Sequence, residues 1–241
     1  MAIMNSNKQS ILAERLNQVE QRIVAACRRA GRARNEVTLV AVTKSVDIEI
    51  AELLPELGVL HLGESRPQEL WKKAAALPKS IHWHLVGHLQ RNKIERTLKL
   101  VQLIHSIDSL RLLEALEQEC VNREVRARIL LEINVSHEEA KHGFPPEDLT
   151  KLANAIYKFP NLEIAGLMTM AALTGSAEDA RPTFAELRHL RDQIRQLLGQ
   201  PNALLELSMG MTNDFEIAIE EGATLVRIGS AIFDGLSEPA S

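Results

Sequence analysis

Val37-Thr38-Leu39-Val40-Ala41-Val42-Thr43-Lys44 is an apolar run that closes on an amine. Six of the seven residues before the lysine are β-branched or leucine, the composition of a strand buried on both faces. Strands of that kind belong to parallel sheets covered by helices, so the stretch points to an α/β fold. Burying an ammonium is costly, and a lysine at such a place either has a charged partner or has lost its charge. An amine with a lowered pKa suits Schiff-base chemistry. A lysine just beyond the strand would instead snorkel to water. Both readings stand on this stretch alone.

Working outward, the same pattern recurs along the chain. Apolar runs at 37–43, 58–62, 81–86, 101–107, 127–135, 162–168, 204–208 and 224–228 alternate with helical patterns, among them the amphipathic stretches 109–121, 146–158 and 178–199. Eight strand candidates, each followed by helix, match a (β/α)8 barrel better than an open doubly wound sheet. Upstream, Leu12, Leu16, Val19, Ile23 and Cys27 recur at three-four spacing and predict an amphipathic helix over about 8–30, ending near Ala30-Gly31. The eighth unit leaves only Ala231 to Leu236 as helix, so the N-terminal helix is expected to cover that gap. No low-complexity linker or composition shift divides the chain. Residues 1–241 are therefore expected to form one α/β domain, the barrel occupying about 37–236.

Composition narrows the function. The chain has 241 residues, enough for one sizeable core, with 45% hydrophobic and 25% charged residues, as in ordinary globular proteins. A net charge of −4 gives no basic footprint for nucleic acid, and 3% aromatic content with a single tyrosine gives no base-stacking platform. Cys27 and Cys120 lie far apart in helical segments and are expected as thiols in a reducing compartment. Lys8, Glu14, Arg15, Glu20 and Arg22 break any signal-peptide core, and no apolar run is long enough to cross a bilayer. A cytoplasmic protein without nucleic-acid or membrane partners is expected.

Barrels of this kind build their sites at the C-terminal ends of the strands, which is where Lys44 falls. The seventh and eighth runs end in Leu207-Ser208-Met209-Gly210-Met211-Thr212 and Val226-Arg227-Ile228-Gly229-Ser230. Loops after those strands are the usual phosphate site of the fold. Gly229 lets backbone approach an anion, Ser230 offers a hydroxyl and an N–H at a helix start, and Ser208 and Thr212 add donors. Each, taken singly, is also an ordinary turn, cap or strand-end hydroxyl; their coincidence at one place favours the phosphate reading. Arg227 inside the eighth run needs an acceptor: a phosphate, a ring nitrogen, or a structural carboxylate such as Glu132. A lysine able to form an imine, a phosphate cradle and an arginine between them describe a pyridoxal phosphate (PLP) site.

Four stretches carry a resemblance to a known family: Ala41-Val42-Thr43-Lys44-Ser45, the segment from His82-Trp83-His84 through His88-Leu89-Gln90-Arg91-Asn92-Lys93, Gly166-Leu167-Met168-Thr169-Met170, and Leu207-Ser208-Met209-Gly210-Met211-Thr212-Asn213-Asp214-Phe215. Together they resemble the pyridoxal phosphate homeostasis family over about residues 10 to 236. The resemblance implies a single-domain barrel related to the N-terminal domain of alanine racemase, with Lys44 holding the cofactor as a Schiff base. It also implies that Ser208, Gly229 and Ser230 hold the phosphate and that Arg227 faces the pyridine nitrogen. Met168 and Thr212 are counted with the cofactor-binding residues. One departure stands out: the family's Gly-Glu-Asn is here Gly63-Glu64-Ser65, which puts any cofactor contact of the asparagine in doubt.

Other readings compete. His82 and His84 share one strand face with His88 nearby, and a metal site is conceivable, yet no Asp or Glu partner is evident and no metal is expected. Of the two, His84 is assigned to the cofactor ring and the other to a satisfied core position. Racemases resembling this fold pair the lysine with a tyrosine from a separate C-terminal domain. Tyr157, the single tyrosine, lies in the helix 146–158, away from the strand ends, where packing is its expected role. The second acid that two-faced proton transfer needs is thus missing. The loop Asn134 to Phe144 adds Lys141, either a second amine for the cofactor or part of a solvated loop. The expected protein is a monomer that binds PLP reversibly and buffers or delivers it, with PLP-dependent apo-enzymes as recipients and no dedicated reaction. PLP-dependent amino-acid racemisation is the alternative.

Overall fold

The apolar stripe of the first thirty residues folds as helix α1, Ala2–Arg29, and buries Leu12, Leu16, Val19, Ile23 and Cys27. This is a computed structural model, and it describes residues 2–136, 142–172, 175–201 and 203–236. The eight expected runs become β1 Thr38–Val42, β2 His61–Glu64, β3 His82–Leu85, β4 Val101–Ile107, β5 Ala127–Glu132, β6 Leu162–Met168, β7 Glu206–Ser208 and β8 Leu225–Ile228. They close in sequence order into one parallel barrel, β8 pairing with β1. The helices after β1 are α2 Ile48–Ala51 and α3 Leu53–Glu56; those after β2, β3 and β4 are α4 Pro67–Ala76, α5 Ile94–Leu98 and α6 Leu110–Arg123. Then follow α7 Leu149–Ile156, α8 Arg181–Leu198, α9 Phe215–Glu220 and α10 Ser230–Phe233.

Several boundaries differ from expectation, each for a local reason. The second strand begins at His61 rather than 58, because Gly58, at φ +80°, closes the turn after α3 and Val59 is spent leaving it. It then runs on through Gly63 and Glu64, a carboxylate that hydropathy rejects but that finds a buried cation. The fifth strand stops at Glu132 rather than 135; Ile133 makes only an isolated bridge to Phe144. The seventh strand is cut to Glu206–Ser208, with Leu204 at φ +46° in the turn before it. Pro146–Asp148 and Ala177–Ala180 are tight turns that shorten the helices expected at 146–158 and 178–199.

The core has two compartments. Inside the barrel, Val40, Leu103, Leu130, Ala165, Met168 and Leu225 pack as one cluster. A larger apolar shell lies between strands and helices, anchored by Phe184, Phe215 and Phe233. Since α10 is only four residues long, α1 covers the β8 side: Arg15 donates to the carbonyls of Ile232 (3.2 Å) and Asp234 (2.5 Å). Arg22 and Arg29 pair with Glu216 of α9 at 2.7 and 2.9 Å. Cys27 and Cys120 are both buried free thiols, the Cys120 thiol pushed up to about 11 by burial. Among the described residues no helix is long and apolar enough to cross a membrane.

Candidate functional site

The C-terminal strand ends surround a cavity of about 520 Å³, within the range of small-molecule sites. Lys44 and Ser45 after β1, Ser65 after β2, and Val86 and Gly87 after β3 line it. Met170 after β6, Met211 to Asp214 after β7, and Arg227, Gly229 and Ser230 of the β8 end, beside β1, complete the lining. Lys44, Thr212, Arg227, Gly229 and Ser230 of the expected set therefore line one space. The other three lie deeper. Ser208 is fully buried beneath Arg227, Met168 belongs to the barrel-interior cluster, and His84 is 2% exposed within the barrel. Lys44 itself is exposed, two residues past the end of β1. The burial expected of it is absent, and its place in the cavity lining is what remains of the reactive reading.

The residue before Lys44 is held by a buried network that the sequence reading missed. Lys73 of α4 bonds Glu64 Oε1 at 2.5 Å and donates to the Thr43 carbonyl at 2.6 Å. Thr43 Oγ1 donates to the same carboxylate oxygen at 2.7 Å. Both charged partners are nearly sealed from solvent, 3% and 0% exposed. Glu64 closing an apolar run was the available signal, but its partner nine residues on falls in a different element.

On β8, beside β1, Arg227 Nη1 donates to Ser208 Oγ at 2.5 Å and Nη2 to the Thr169 carbonyl at 3.0 Å. Burial lowers its pKa to about 10, opposed by the charges of Glu132 and Asp214, so it remains a cation. The ion pair with Glu132 does not form: the hydrogen-bond acceptors of the guanidinium are a hydroxyl and a carbonyl. Burial pushes the Glu132 carboxyl up to about 7, with the neighbouring Asp108 charge adding to it. The wall after β7 is built by Asp214, which accepts from the Met211 N–H at 2.6 Å, and by Thr212, whose Oγ1 accepts from Ala231 N–H at 3.3 Å. Gly210, at φ +90°, admits no side chain, because a Cβ would lie 2.6 Å from that of Ala218. At Gly229 a Cβ would crowd the Val42 carbonyl at 3.3 Å.

The histidines serve separate partners. His82 is exposed, His84 bonds other histidines, and His88 pairs with Asp108 at 3.0 Å and stacks on His142. His82 and His84 therefore do not join His88 in a ligand set. Tyr157 is 64% exposed, one residue past α7, and packs into no core. Lys141 lies outside the described residues.

A family model described as alanine racemase, N-terminal domain, matches residues 15–237. The chain belongs to that family. It is 41% identical over 221 residues to the pyridoxal phosphate homeostasis protein of Aquifex aeolicus, covering 91% of this chain and 96% of the relative. Its identity to the human protein of that name is 35% over 206 residues, 81% of this chain and 75% of the relative. These relatives make it a member of the pyridoxal phosphate homeostasis family. Among solved structures it is similar to PipY of Synechococcus elongatus with PLP bound, at TM-score 0.79 and 30% identity, covering 92% and 99% of the two chains. A protein from Bifidobacterium adolescentis superposes at TM-score 0.88 with 38% identity, covering 94% and 96% of the two chains. Alanine racemase from Corynebacterium glutamicum, at 14% identity and TM-score 0.68, covers 93% of this chain but only 61% of its own length and shares the fold alone.

Proposed function

We propose that this protein binds pyridoxal 5′-phosphate reversibly in the cavity at the strand ends and buffers or delivers it inside the cell. The observation that carries the reading is the convergence of Lys44 at the end of β1 with Arg227, Gly229 and Ser230 of the adjacent β8 on one cavity. The fit rests on chemistry as well as space: Arg227 is a buried cation whose own partners are both neutral, so an electron-rich acceptor in the cavity would complete its coordination. When bound, the cofactor supplies an aldehyde that an amine can capture reversibly. Lys44 offers that amine, Gly229 and Ser230 the backbone and hydroxyl donors for phosphate, and Arg227 a donor to the ring. Residues 1–241 act as one binding unit in the cytoplasm. PLP-dependent apo-enzymes are the recipients. Support comes from the homeostasis names of the relatives and from PipY, solved with PLP bound.

The reading includes no dedicated reaction. Two-faced proton transfer needs an acid opposite the lysine; among the described residues the cavity lining holds no tyrosine, and its Asp214 is engaged by the Met211 N–H. The test is the absorbance spectrum of the purified protein with added PLP. A yellow band is expected, lost in Lys44→Ala, and a protein that stays colourless after reconstitution overturns the proposal. Robust interconversion of D- and L-amino acids would instead favour the racemase.

A further inference from the structure

A second group of ionisable side chains gathers at the strand ends, outside the cofactor cavity. His88 follows β3, Asp108 follows β4, and His142 lies between β5 and α7. His88 Nδ1 lies 3.0 Å and His142 Nδ1 3.7 Å from the same carboxylate oxygen, Asp108 Oδ2. One ligating atom from each of the three residues lies within 4.8 Å of the other two. Backbone contacts fix this meeting. Ser106 Oγ donates to the Gly87 carbonyl at 2.6 Å, joining the ends of β3 and β4 one residue before His88 and two before Asp108. On the third side Phe144 is buried against β5: its N–H donates to the Glu132 carbonyl at 2.8 Å and its carbonyl accepts from the Asn134 N–H at 3.0 Å. Gly143, at φ +122°, makes the turn between His142 and that anchor, and a Cβ there would lie 2.8 Å from the Asn134 nitrogen.

Two imidazoles and a carboxylate are the donor types that zinc and its neighbours select. In a tetrahedral site with bonds of about 2.0–2.2 Å, ligand atoms stand about 3.3–3.6 Å apart. The spacings of 3.0 and 3.7 Å fall on either side of that range. Both imidazoles are exposed, so small rotations bring their nitrogens onto a shared ion. Asp108 is held mostly out of water, and its side-chain partners among the described residues are these two rings. Glu132 adds a second carboxyl close enough for the Asp108 charge to raise it and for His142 to lower it. Arg91 and Arg111 share an open hollow of about 470 Å³ with His88 and Asp108, but both are exposed, where water and salt screen them. His88 gave no hint of an acidic partner because Asp108 stands 20 positions away, on the end of the next strand.

We propose that His88, Asp108 and His142 bind a divalent transition metal ion of the zinc class at the strand-end rim. The three side chains supply three positions of a tetrahedron and leave the fourth to water. Two nitrogen donors disfavour hard cations such as Mg²⁺, which take oxygen ligands in octahedral array. The bound ion replaces the contacts between Asp108 and the imidazoles and ties His142 to the ends of β3 and β4. None of the three residues lines the cofactor cavity, so the site stands whether or not PLP binds.

The test uses the full chain, tag-free, stripped with chelator and without PLP, titrated with Zn²⁺ in a calorimeter and with Co²⁺ in a spectrophotometer. One ion per chain should bind at micromolar concentration or below, and Co²⁺ should show the visible absorption of a tetrahedral site. Zn²⁺ should also raise the melting temperature. His142→Ala, at an exposed position, and Asp108→Asn, which keeps the side-chain shape, should each weaken Zn²⁺ binding by about tenfold or more. Metal-free His142→Ala should melt with the parent protein and lose the Zn²⁺-dependent rise. His82→Ala, which removes a different exposed histidine, should leave binding unchanged. No binding at micromolar Zn²⁺, unaltered binding in His142→Ala, loss of binding in His82→Ala, or equal affinity for Mg²⁺ would overturn the site.

Discussion

Glu132 closes β5 with a carboxyl that burial and Asp108 hold up to about 7, against an ordinary 4.5. In the unfolded chain the same group ionises near its ordinary value, so folding must hold back a charge as pH rises. A raised folded pKa contributes stability that is complete below pH 4.5 and lost progressively toward pH 7, up to about 3 kcal/mol. Glu132→Gln should therefore flatten the pH dependence of stability across that window and raise the melting temperature at pH 8. Thermal melts of cofactor-free protein measure this; an unchanged slope would show that Glu132 is already ionised in the fold. Residues at this scale were partly legible. Lys44, Arg227, Gly229 and Ser230 stood out because strand ends are where a barrel does chemistry. His105 gave no such signal, since a histidine in an apolar run looks like any satisfied core residue until its neighbours are known.

Between elements, α4 docks on β2 through Lys73 and Glu64, with the Thr43 carbonyl sharing the ammonium. Removing one member leaves the other buried and unpaired, a situation that costs about 3–5 kcal/mol. Lys73→Ala should lose about that much in urea denaturation and should also loosen Lys44, one residue past Thr43. Replacing both charges with apolar residues of like volume should recover most of the loss, since an ion pair in the core competes with packing rather than adding to it. A Lys73→Ala variant as stable as the parent would mean that the pair is solvated. The α1 helix shows the opposite case. Its stripe from Leu12 to Cys27 was visible as three-four spacing, and so was the need for cover created by a short eighth helix. The partners that hold it, Glu216 and Glu220 of α9, were not.

For the molecule as a whole, we propose that one chain suffices to bind the cofactor and that the protein is a monomer. Sedimentation at micromolar concentration should give a single species of one chain's mass; a stable dimer would contradict this. Beneath the strand-end cavity the barrel interior is filled by Val40, Leu103, Leu130 and Leu225.

The sequence by itself determined the eightfold alternation, the class of barrel and the side on which its chemistry sits. Periodicity is a local property, and the position of a strand end follows from it. Which side chains meet across the barrel depends on the register of strands far apart in sequence. His105 and Ser208 are separated by 103 positions, and no local pattern encodes their 2.7 Å contact. Only closure of β1 against β8 fixed that register. The fold thereby brought His61, His84, His105 and Ser208 of four strands within hydrogen-bond reach and left the exposed amine of Lys44 beside its cavity.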